Sequence, residues 1–125
     1  MAFKASLVQL RSSLSPERNL ATTVDLVRLA ASEGATYVQT PENTNIMAED
    51  LEALMRAVHL EAADPTLAAL TALARELGIT LHIGSLAIKL TRESRVANRA
   101  FVIGPDGAIV ARYDKIHMFD VDLPN

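Results

Sequence analysis

Two short clusters in this sequence carry side chains that can do acid–base or electrostatic chemistry. The first is Thr40-Pro41-Glu42-Asn43, in which a carboxylate follows a proline that fixes the direction of the backbone. A carboxylate held at a defined place can accept a proton from a nucleophile or from a substrate. The alternative interpretation is that Glu42 is a solvated loop residue, and its position alone does not exclude this.

The second cluster runs from Tyr113 to Asp120 and is dense in charged and aromatic side chains. It contains Lys115 and, two residues later, His117, which could position the lysine loop. A lysine ammonium is a compact positive charge that can stabilise negative charge placed beside it. Taken alone, the cluster favours a different interpretation, namely ordinary surface side chains where a strand ends.

Length, composition and charge limit the classes of protein to which this sequence can belong. The sequence has 125 residues, half of them hydrophobic, which is enough for one domain with a core. The net charge of −3 gives no electrostatic reason to expect nucleic acid or an anionic membrane as a partner. No apolar run approaches the ~20 residues that span a bilayer, and the amino terminus lacks the pattern of a secretion signal. These features favour a cytoplasmic protein.

Cysteine and histidine usage restricts the chemistry further. The sequence contains no cysteine, so disulfides, thiolate-bound metals and a thiol nucleophile are excluded within it. The three histidines lie far apart without ligand spacing, so we predict no metal site and no cofactor. His59, in a predicted helix, and His82, in a predicted strand, are interpreted as structural. Gly104 and Gly107 belong to a turn between strands and not to a phosphate-binding loop, which would join a strand to a helix.

The first third of the sequence predicts a parallel βαβ unit. Phe3 to Gln9 is an apolar segment suited to a buried strand, Ser15-Pro16 is a typical helix start, and Ala35 to Thr40 has the composition of a second strand. The helix is predicted to bury one face with helical spacing: Leu20, Val24, Val27 and Ala31. Glu42 would then follow the carboxyl end of a strand, where α/β folds place ligands.

Later elements complete an α/β pattern. Periodicity predicts two further helices, marked by Leu51, Leu54, Met55 and Val58, and by Leu67, Leu70, Ala74 and Leu77. Ile79 to Ile83 alternates as a strand does. Ala97 to Ile103 and Ala108 to Tyr113 flank the turn Gly104-Pro105-Asp106-Gly107 and predict a β-hairpin. Asn98, at the head of this hairpin, is interpreted as a structural hydrogen-bonding residue.

Three stretches, in this order and spacing, resemble the nitrilase, or carbon–nitrogen hydrolase, superfamily. They are Val8-Gln9-Leu10, then Gly34-Ala35 leading to Pro41-Glu42-Asn43, and finally Asn98 to Gly107 running on into the segment from Tyr113 to Asp120. The resemblance spans the whole sequence. The stretch from Lys115 to Pro124 looks most like the amidase branch that acts on ω-amides, which includes enzymes hydrolysing deaminated glutathione.

The resemblance implies a fold and a site. The fold would be the amino-terminal half of an αββα sandwich, whose apolar inner face needs a second sheet supplied mostly by other residues. Glu42 would be the general base and Lys115 the cation that stabilises the oxyanion, with a cysteine nucleophile beyond this chain. Residues 1–125 are expected to form a single partial domain truncated at the carboxyl end, because Asp120 to Asn125 closes no helix or strand.

The function implied is hydrolysis of a small linear amide by a homo-oligomeric enzyme, with this chain inactive on its own. One alternative from another class stays open, namely a catalytically inactive α/β module that binds a ligand or partner in the same crevice. A flavodoxin-like signalling domain is disfavoured, because the late strands form a hairpin and do not alternate with helices.

Overall fold

The strands and helices form an α/β arrangement around one five-stranded mixed sheet. The computed structural model describes residues 2–91 and 95–117. In chain order the elements are β1 (Ala5–Leu7), α1 (Pro16–Ser32), β2 (Tyr37–Thr40), α2 (Leu51–Ala57), a short 3-10 helix (Glu61–Ala63), α3 (Pro65–Leu77), β3 (Thr80–Lys89), β4 (Val96–Ile103) and β5 (Ile109–Asp114). The strands lie side by side in chain order. β1, β2 and β3 are parallel, and β4 and β5 continue the sheet antiparallel. The predicted α/β class, βαβ unit and hairpin are confirmed.

Local sequence explains where the two longer helices begin and end. Ser15 accepts a hydrogen bond from the backbone of Arg18 and so caps α1, and Asp64 accepts one from Leu67 and caps α3. Proline occupies the first turn of both helices, where its missing N–H is not needed. Gly78 ends α3 in the left-handed conformation, with φ of 62°.

The core lies between one face of the sheet and helices α1 and α3. Its fully buried side chains come from all of these elements: Val27, Val38, Leu70, Leu81, Ile83, Phe101 and Ile103. The predicted buried face of α1 was partly wrong. Val27 is buried, but the other buried positions of this helix are Asn19, Thr23 and Ala30, whereas Leu20, Val24 and Ala31 pack at the margin of the core.

The reason for this difference is hydrogen bonding by polar side chains, which an apolar count misses. Asn19 donates to the backbone carbonyls of Ser13 and Asn45, at 2.8 and 2.9 Å. The hydroxyl of Thr23 donates to the carbonyl of Asn19 at 2.7 Å. Polar side chains with such hydrogen-bond partners can be buried at little cost in free energy. The buried face of α1 is therefore rotated towards Asn19 and Thr23.

The prediction of a buried first strand was wrong. β1 has three residues and lies at the edge of the sheet, and Leu7 is 74% exposed. Pairing places Ser6 beside the buried Val38, so Leu7 projects to the opposite face. We call this opposite face, turned away from α1 and α3, the open face.

The open face is mixed in character instead of apolar. It carries Leu7, Tyr37, Gln39, Thr80, His82, Ala100, Val102 and Tyr113, all wholly or partly exposed. A hydrogen bond of 2.7 Å joins the hydroxyl of Tyr37 to Nδ1 of His82. At one end, the loop after β2 and helix α2 cover this face, and Ile46 and Leu54 pack there against Ala87.

Two β-bulges set which side chains reach which face. In β3, Ile83 pairs with Phe101 and Leu86 with Arg99, so the strand carries one extra residue at Gly84–Ser85. In β5, Val102 pairs with Ala111 and Ile103 with Ile109, which leaves Val110 as the extra residue. Beyond each bulge, the side chains of the strand alternate in the opposite sense.

A charged cluster joins β4 and β5 on the face that packs against the helices. Arg99 binds Asp114 through two hydrogen bonds of 2.6 and 2.9 Å and binds Glu61 through a third of 2.7 Å. Glu61 also accepts from Arg112. The Arg99 guanidinium lowers the pKa of Asp114 through these hydrogen bonds, against the opposing effect of partial burial. The cluster fixes the register at the end of β5.

Arg99→Met is expected to destabilise the protein by roughly 2 kcal/mol, because only 19% of the arginine side chain is exposed, Asp114 loses both hydrogen bonds of the pair, and Glu61 loses one of its two arginine partners. Chemical denaturation measures the change. Arg28→Met is the matched control. It removes an equally bidentate pair with Glu76, but one whose side chains are 46% and 57% exposed and screened by water, so the loss of stability should be clearly smaller. Equal midpoints for the two variants would contradict the prediction.

The Arg99 contribution should also depend on pH. A folded-state pKa below the ordinary 3.8 means that the Asp114 carboxylate stabilises the fold above that value. Its contribution is lost as pH falls through the lowered pKa. The difference between wild type and Arg99→Met should therefore shrink in strongly acidic solution.

Candidate active site

The loop after β2, residues 41–44, crosses over β3 at its bulge. Three backbone-anchored hydrogen bonds hold the crossing. The amide of Ser85 donates to the carbonyl of Pro41 at 3.3 Å, the amide of Thr44 donates to the carbonyl of Ser85 at 2.9 Å, and the amide of Asn43 donates to Oγ of Ser85 at 2.8 Å. The chain thus leaves β2, passes its neighbour and delivers the next side chain, Glu42, towards β4 and β5.

Gly84 makes this crossing sterically feasible. A Cβ at this position would lie 2.4 Å from the carbonyl oxygen of Thr40 and 2.5 Å from the carbonyl carbon of Pro41. Real Cβ atoms essentially never approach backbone that closely. The close passage of two backbones therefore requires glycine here.

The far end of the loop is equally fixed. The side-chain amide of Asn45 accepts from the backbone N–H of Ala87 at 2.9 Å and donates to its carbonyl at 3.0 Å, as a neighbouring strand would. Thr44 is fully buried and its hydroxyl donates to the carbonyl of Pro41 at 2.7 Å. The loop that carries Glu42 is consequently held by β3 on both sides.

The hairpin brings two further polar side chains to the same edge of the sheet. The backbone amide of Lys115 donates to the carbonyl of Asn98 at 2.9 Å, and the adjacent pair, Arg99 and Asp114, lies in register. Because successive side chains alternate across a sheet, Asn98 and Lys115 project to the open face while Arg99 and Asp114 project to the other.

Glu42 and Lys115, the two predicted catalytic residues, meet at this edge although 73 positions separate them. Nζ of Lys115 lies 2.8 Å from Oε1 of Glu42, and Nδ2 of Asn98 donates to the same oxygen at 2.7 Å. A cavity of about 240 Å³ opens beside them, lined by Glu42, Gly84, Asn98, Ala100, Tyr113 and Lys115. The expected convergence is observed; the roles given to the two residues stay predictions.

The electrostatics of the pair favour an ionised carboxylate. The hydrogen bond from Lys115 is the largest cause that lowers the pKa of Glu42 below its ordinary 4.5, Asn98 adds to it, and partial burial opposes both. The carboxylate is therefore a pure acceptor at neutral pH. The two side chains are 51% and 39% exposed, and an ion pair this exposed adds at most about 1 kcal/mol to stability. Its placement at a cavity points to chemistry more than to folding.

The histidines lie apart from this pair. His117 is exposed and makes no hydrogen bond or ion pair with the part of the chain that the structure describes. His82 lies on the open face, bound to Tyr37. His59 was predicted within a helix, but α2 ends at Ala57, so His59 follows it. The remainder of the second cluster, residues 118–120, lies outside the described residues.

Within residues 2–91 and 95–117, no group of three His, Cys, Asp or Glu side chains is placed to hold a metal ion. None of the helices in those ranges combines the length and the hydropathy that a membrane span needs.

Sequence reasoning missed Asn98 and Gly84 as parts of the site. Asn98 was interpreted as structural, yet it donates to the candidate base. The register of the hairpin would have placed it beside Lys115, had the bulge in β5 been foreseen. Gly84 stands in the run of alternating residues that predicted β3, and its interruption of the β-branched pattern was the available signal.

Comparison with known proteins relates this chain to amidases. The profile of the family described as Carbon-nitrogen hydrolase matches residues 4–125. The chain is 32% identical over 124 residues to the deaminated glutathione amidase of Synechocystis sp., covering 98% of this chain and 45% of that protein. It is 31% identical over 125 residues to the omega-amidase of Homo sapiens, covering 98% and 43%. The chain thus spans less than half the length of either relative.

Among solved structures, an amidase from Nesterenkonia sp. superposes with a TM-score of 0.80 at 25% identity, over 95% of this chain and 44% of that one. A mutant of an amidase from Nesterenkonia sp. shows the result of Michael addition of acrylamide at the active-site cysteine.

Proposed function

This chain belongs to the carbon–nitrogen hydrolase family and has its nitrilase-type α/β fold, and from that premise we propose that the full-length protein hydrolyses the amide bond of a small linear amide. One observation carries the proposal. Glu42, held by the loop that crosses β3, receives both Lys115 and Asn98 at the mouth of an open cavity. The similarity to omega-amidase and deaminated glutathione amidase supports substrates that also bear a carboxylate.

On this proposal Glu42 is the general base and Lys115 stabilises the oxyanion. A cysteine thiol with an ordinary pKa near ~8.5 is mostly protonated at neutral pH, so a carboxylate within reach helps to form the thiolate. The thiolate attacks the amide carbonyl carbon, and the negative charge moves to the carbonyl oxygen beside the ammonium of Lys115. Such a preorganised cation lowers the barrier because it needs no reorganisation.

The tetrahedral intermediate then breaks its carbon–nitrogen bond. The proton that Glu42 took from the thiol passes to the nitrogen, and ammonia leaves a thioester. Water attacks the thioester carbon and Glu42 takes a proton from that water. As the carbon–sulfur bond breaks, Glu42 gives this proton to the sulfur, so the acid is released, the cysteine is again a thiol and Glu42 is again a carboxylate. Amide and water give acid and ammonia, so the carboxylate acts once in each half of the cycle.

The nucleophile must come from outside these 125 residues, which contain no cysteine. Residues 1–125 then contribute one part of a single catalytic domain and supply its base and its cation. We further propose a cytoplasmic homo-oligomer that acts on a small-molecule amide and on neither nucleic acid nor membranes. An inactive binding module that uses the same cavity is the competing function.

Lys115→Met tests the oxyanion role in the full-length protein. We expect kcat for ammonia release from a panel of ω-amides to fall roughly 100- to 1000-fold, since one oxyanion donor is lost. Lys89→Met, at another exposed lysine that ends a strand, is the control and should leave kcat unchanged. Near-normal turnover by Lys115→Met would contradict the proposal that Lys115 stabilises the oxyanion. A wild-type protein that releases ammonia from no amide would favour the binding module.

A further inference from the structure

The hydrogen bonds at Glu42 are unevenly shared between its two oxygens. Both Asn98 and Lys115 donate to Oε1. Oε2 accepts no hydrogen bond from residues 2–91 and 95–117. One carboxylate oxygen, Oε1, is therefore held by two hydrogen bonds, and the other oxygen, Oε2, is available to contact a ligand.

The two donors differ in how firmly they are held. Asn98 lies within β4, paired with Ala87 on one side and bonded through its carbonyl to the Lys115 amide on the other. Its short amide reaches Glu42 with few rotatable bonds. Lys115 reaches the same oxygen from just beyond β5, along a flexible stem of four carbons.

This difference matters because the proposed reaction gives Lys115 a second partner. When charge develops on the substrate oxygen, the ammonium is drawn towards it, and its bond to Glu42 weakens. Glu42 must keep its orientation at that moment, because it holds the proton that the leaving nitrogen needs. A donor on a rigid strand can supply this orientation.

We infer that Asn98 is a positioning residue for the proposed reaction: its amide holds Oε1 of Glu42, so that Oε2 is the oxygen that exchanges protons with the nucleophile and the leaving group. The inference rests on the proposed function. It adds Asn98 to the proposed site and gives the two oxygens of Glu42 different roles, one in orientation and one in proton exchange.

Asn98→Leu and Asn98→Asp in the full-length protein test the inference. Leucine has a similar shape without a donor, and aspartate has the same shape with a like charge. We expect kcat to fall on the order of a hundredfold for both, as misplaced reacting groups do, with KM unchanged. The acidic limb of the kcat/KM profile should move to higher pH, because Asn98 helps to lower the pKa of Glu42, and should move furthest in Asn98→Asp.

Val102→Ala is the matched control, because Val102 lies on the same strand and the same face, opposite Ala111 and outside the lining of the cavity beside Glu42. It should leave both kcat and the acidic limb where they are. Thermal unfolding of every variant separates loss of fold from loss of position, and Asn98→Asp serves if Asn98→Leu does not fold. Unchanged kcat and an unchanged acidic limb in a folded Asn98 variant would overturn the inference.

A titration that needs no turnover separates this inference from the proposed function. Carboxyl carbon resonances of labelled glutamate are followed against pH in wild type and Asn98→Leu, with Glu42→Gln identifying the Glu42 signal. We expect Glu42 to titrate below 4.5 in the wild type and higher in Asn98→Leu. Identical titrations would overturn the link between Asn98 and Glu42. A shifted titration in a protein that hydrolyses no amide would overturn the proposed function, and the catalytic part of the inference with it.

Discussion

Glu42→Gln is expected to lower kcat of the full-length protein by about three orders of magnitude, within the range typical for loss of a general base. Glutamine has the shape of glutamate, and its carbonyl oxygen can still accept from Asn98 and Lys115. The loop should therefore stay in place. What the variant loses is the ability to take and return a proton.

The fold should survive this change, because the ion pair between Glu42 and Lys115 is largely exposed and adds at most about 1 kcal/mol to stability. Denaturation midpoints of the variant and the wild type should agree closely. Glu49→Gln, an exposed carboxylate further along the same loop, is the control and should keep full activity. Turnover by Glu42→Gln within a factor of about ten of wild type would remove Glu42 from the base role.

The pH dependence gives an independent check on Glu42. A pKa lowered by Lys115 keeps the base ionised to below pH 4.5, so the acidic limb that Glu42 imposes on kcat/KM should lie below that value. Any stability that the Glu42 carboxylate adds to the fold depends on pH in the same direction as the activity does. It is present above the ordinary pKa and is lost as pH falls through the lowered one.

Gly84→Ala is expected to damage both the fold and the site. The added methyl group would meet the backbone of Thr40 and Pro41 at 2.4 and 2.5 Å, and neither can turn aside as a side chain can. We expect a loss of stability on the order of 3 kcal/mol. The crossing loop must lift from β3, which would carry Glu42 away from Lys115 and lower kcat on the order of a hundredfold even in the folded protein.

Gly104→Ala is the matched control for this effect. A Cβ there would come no closer than 3.0 Å, to a side-chain oxygen of Asp106, so the neighbour can shift. Denaturation midpoints and kcat measured below the unfolding transition separate the two glycines. If Gly84→Ala kept wild-type stability and turnover, the passage of the loop over the bulge would not be what positions Glu42.

The order of elements could be predicted because each boundary carries a local signal. Ser15 and Asp64 cap helices, the glycine-rich turn joins the hairpin strands, and alternating apolar residues mark β3. The edge of the sheet at which Glu42 and Lys115 lie also followed from the pattern, since both come directly after strands. Local chemistry was enough for these features.

The contact between Glu42 and Lys115 could not be derived in the same way. β3 and β4 lie between the strands that precede them, so the contact depends on the loop that crosses Gly84. That crossing is a tertiary contact, and no residue pattern within the loop sequence predicts it. The buried face of α1 was missed for a related reason, because Asn19 and Thr23 are buried by partners that lie outside an apolar pattern.

The extra residue in β5 decides which charge of the hairpin reaches the open face. If Val110 paired with Val102 instead of bulging, Asp114 would lie opposite Asn98 and point at Glu42, while Lys115 would turn to the far side of the sheet. Two acids would then repel each other where an acid now meets an ammonium. A shift of one residue in the pairing at the bulge, with no change in the sequence, would thus be enough to replace the ammonium beside Glu42 by a carboxylate.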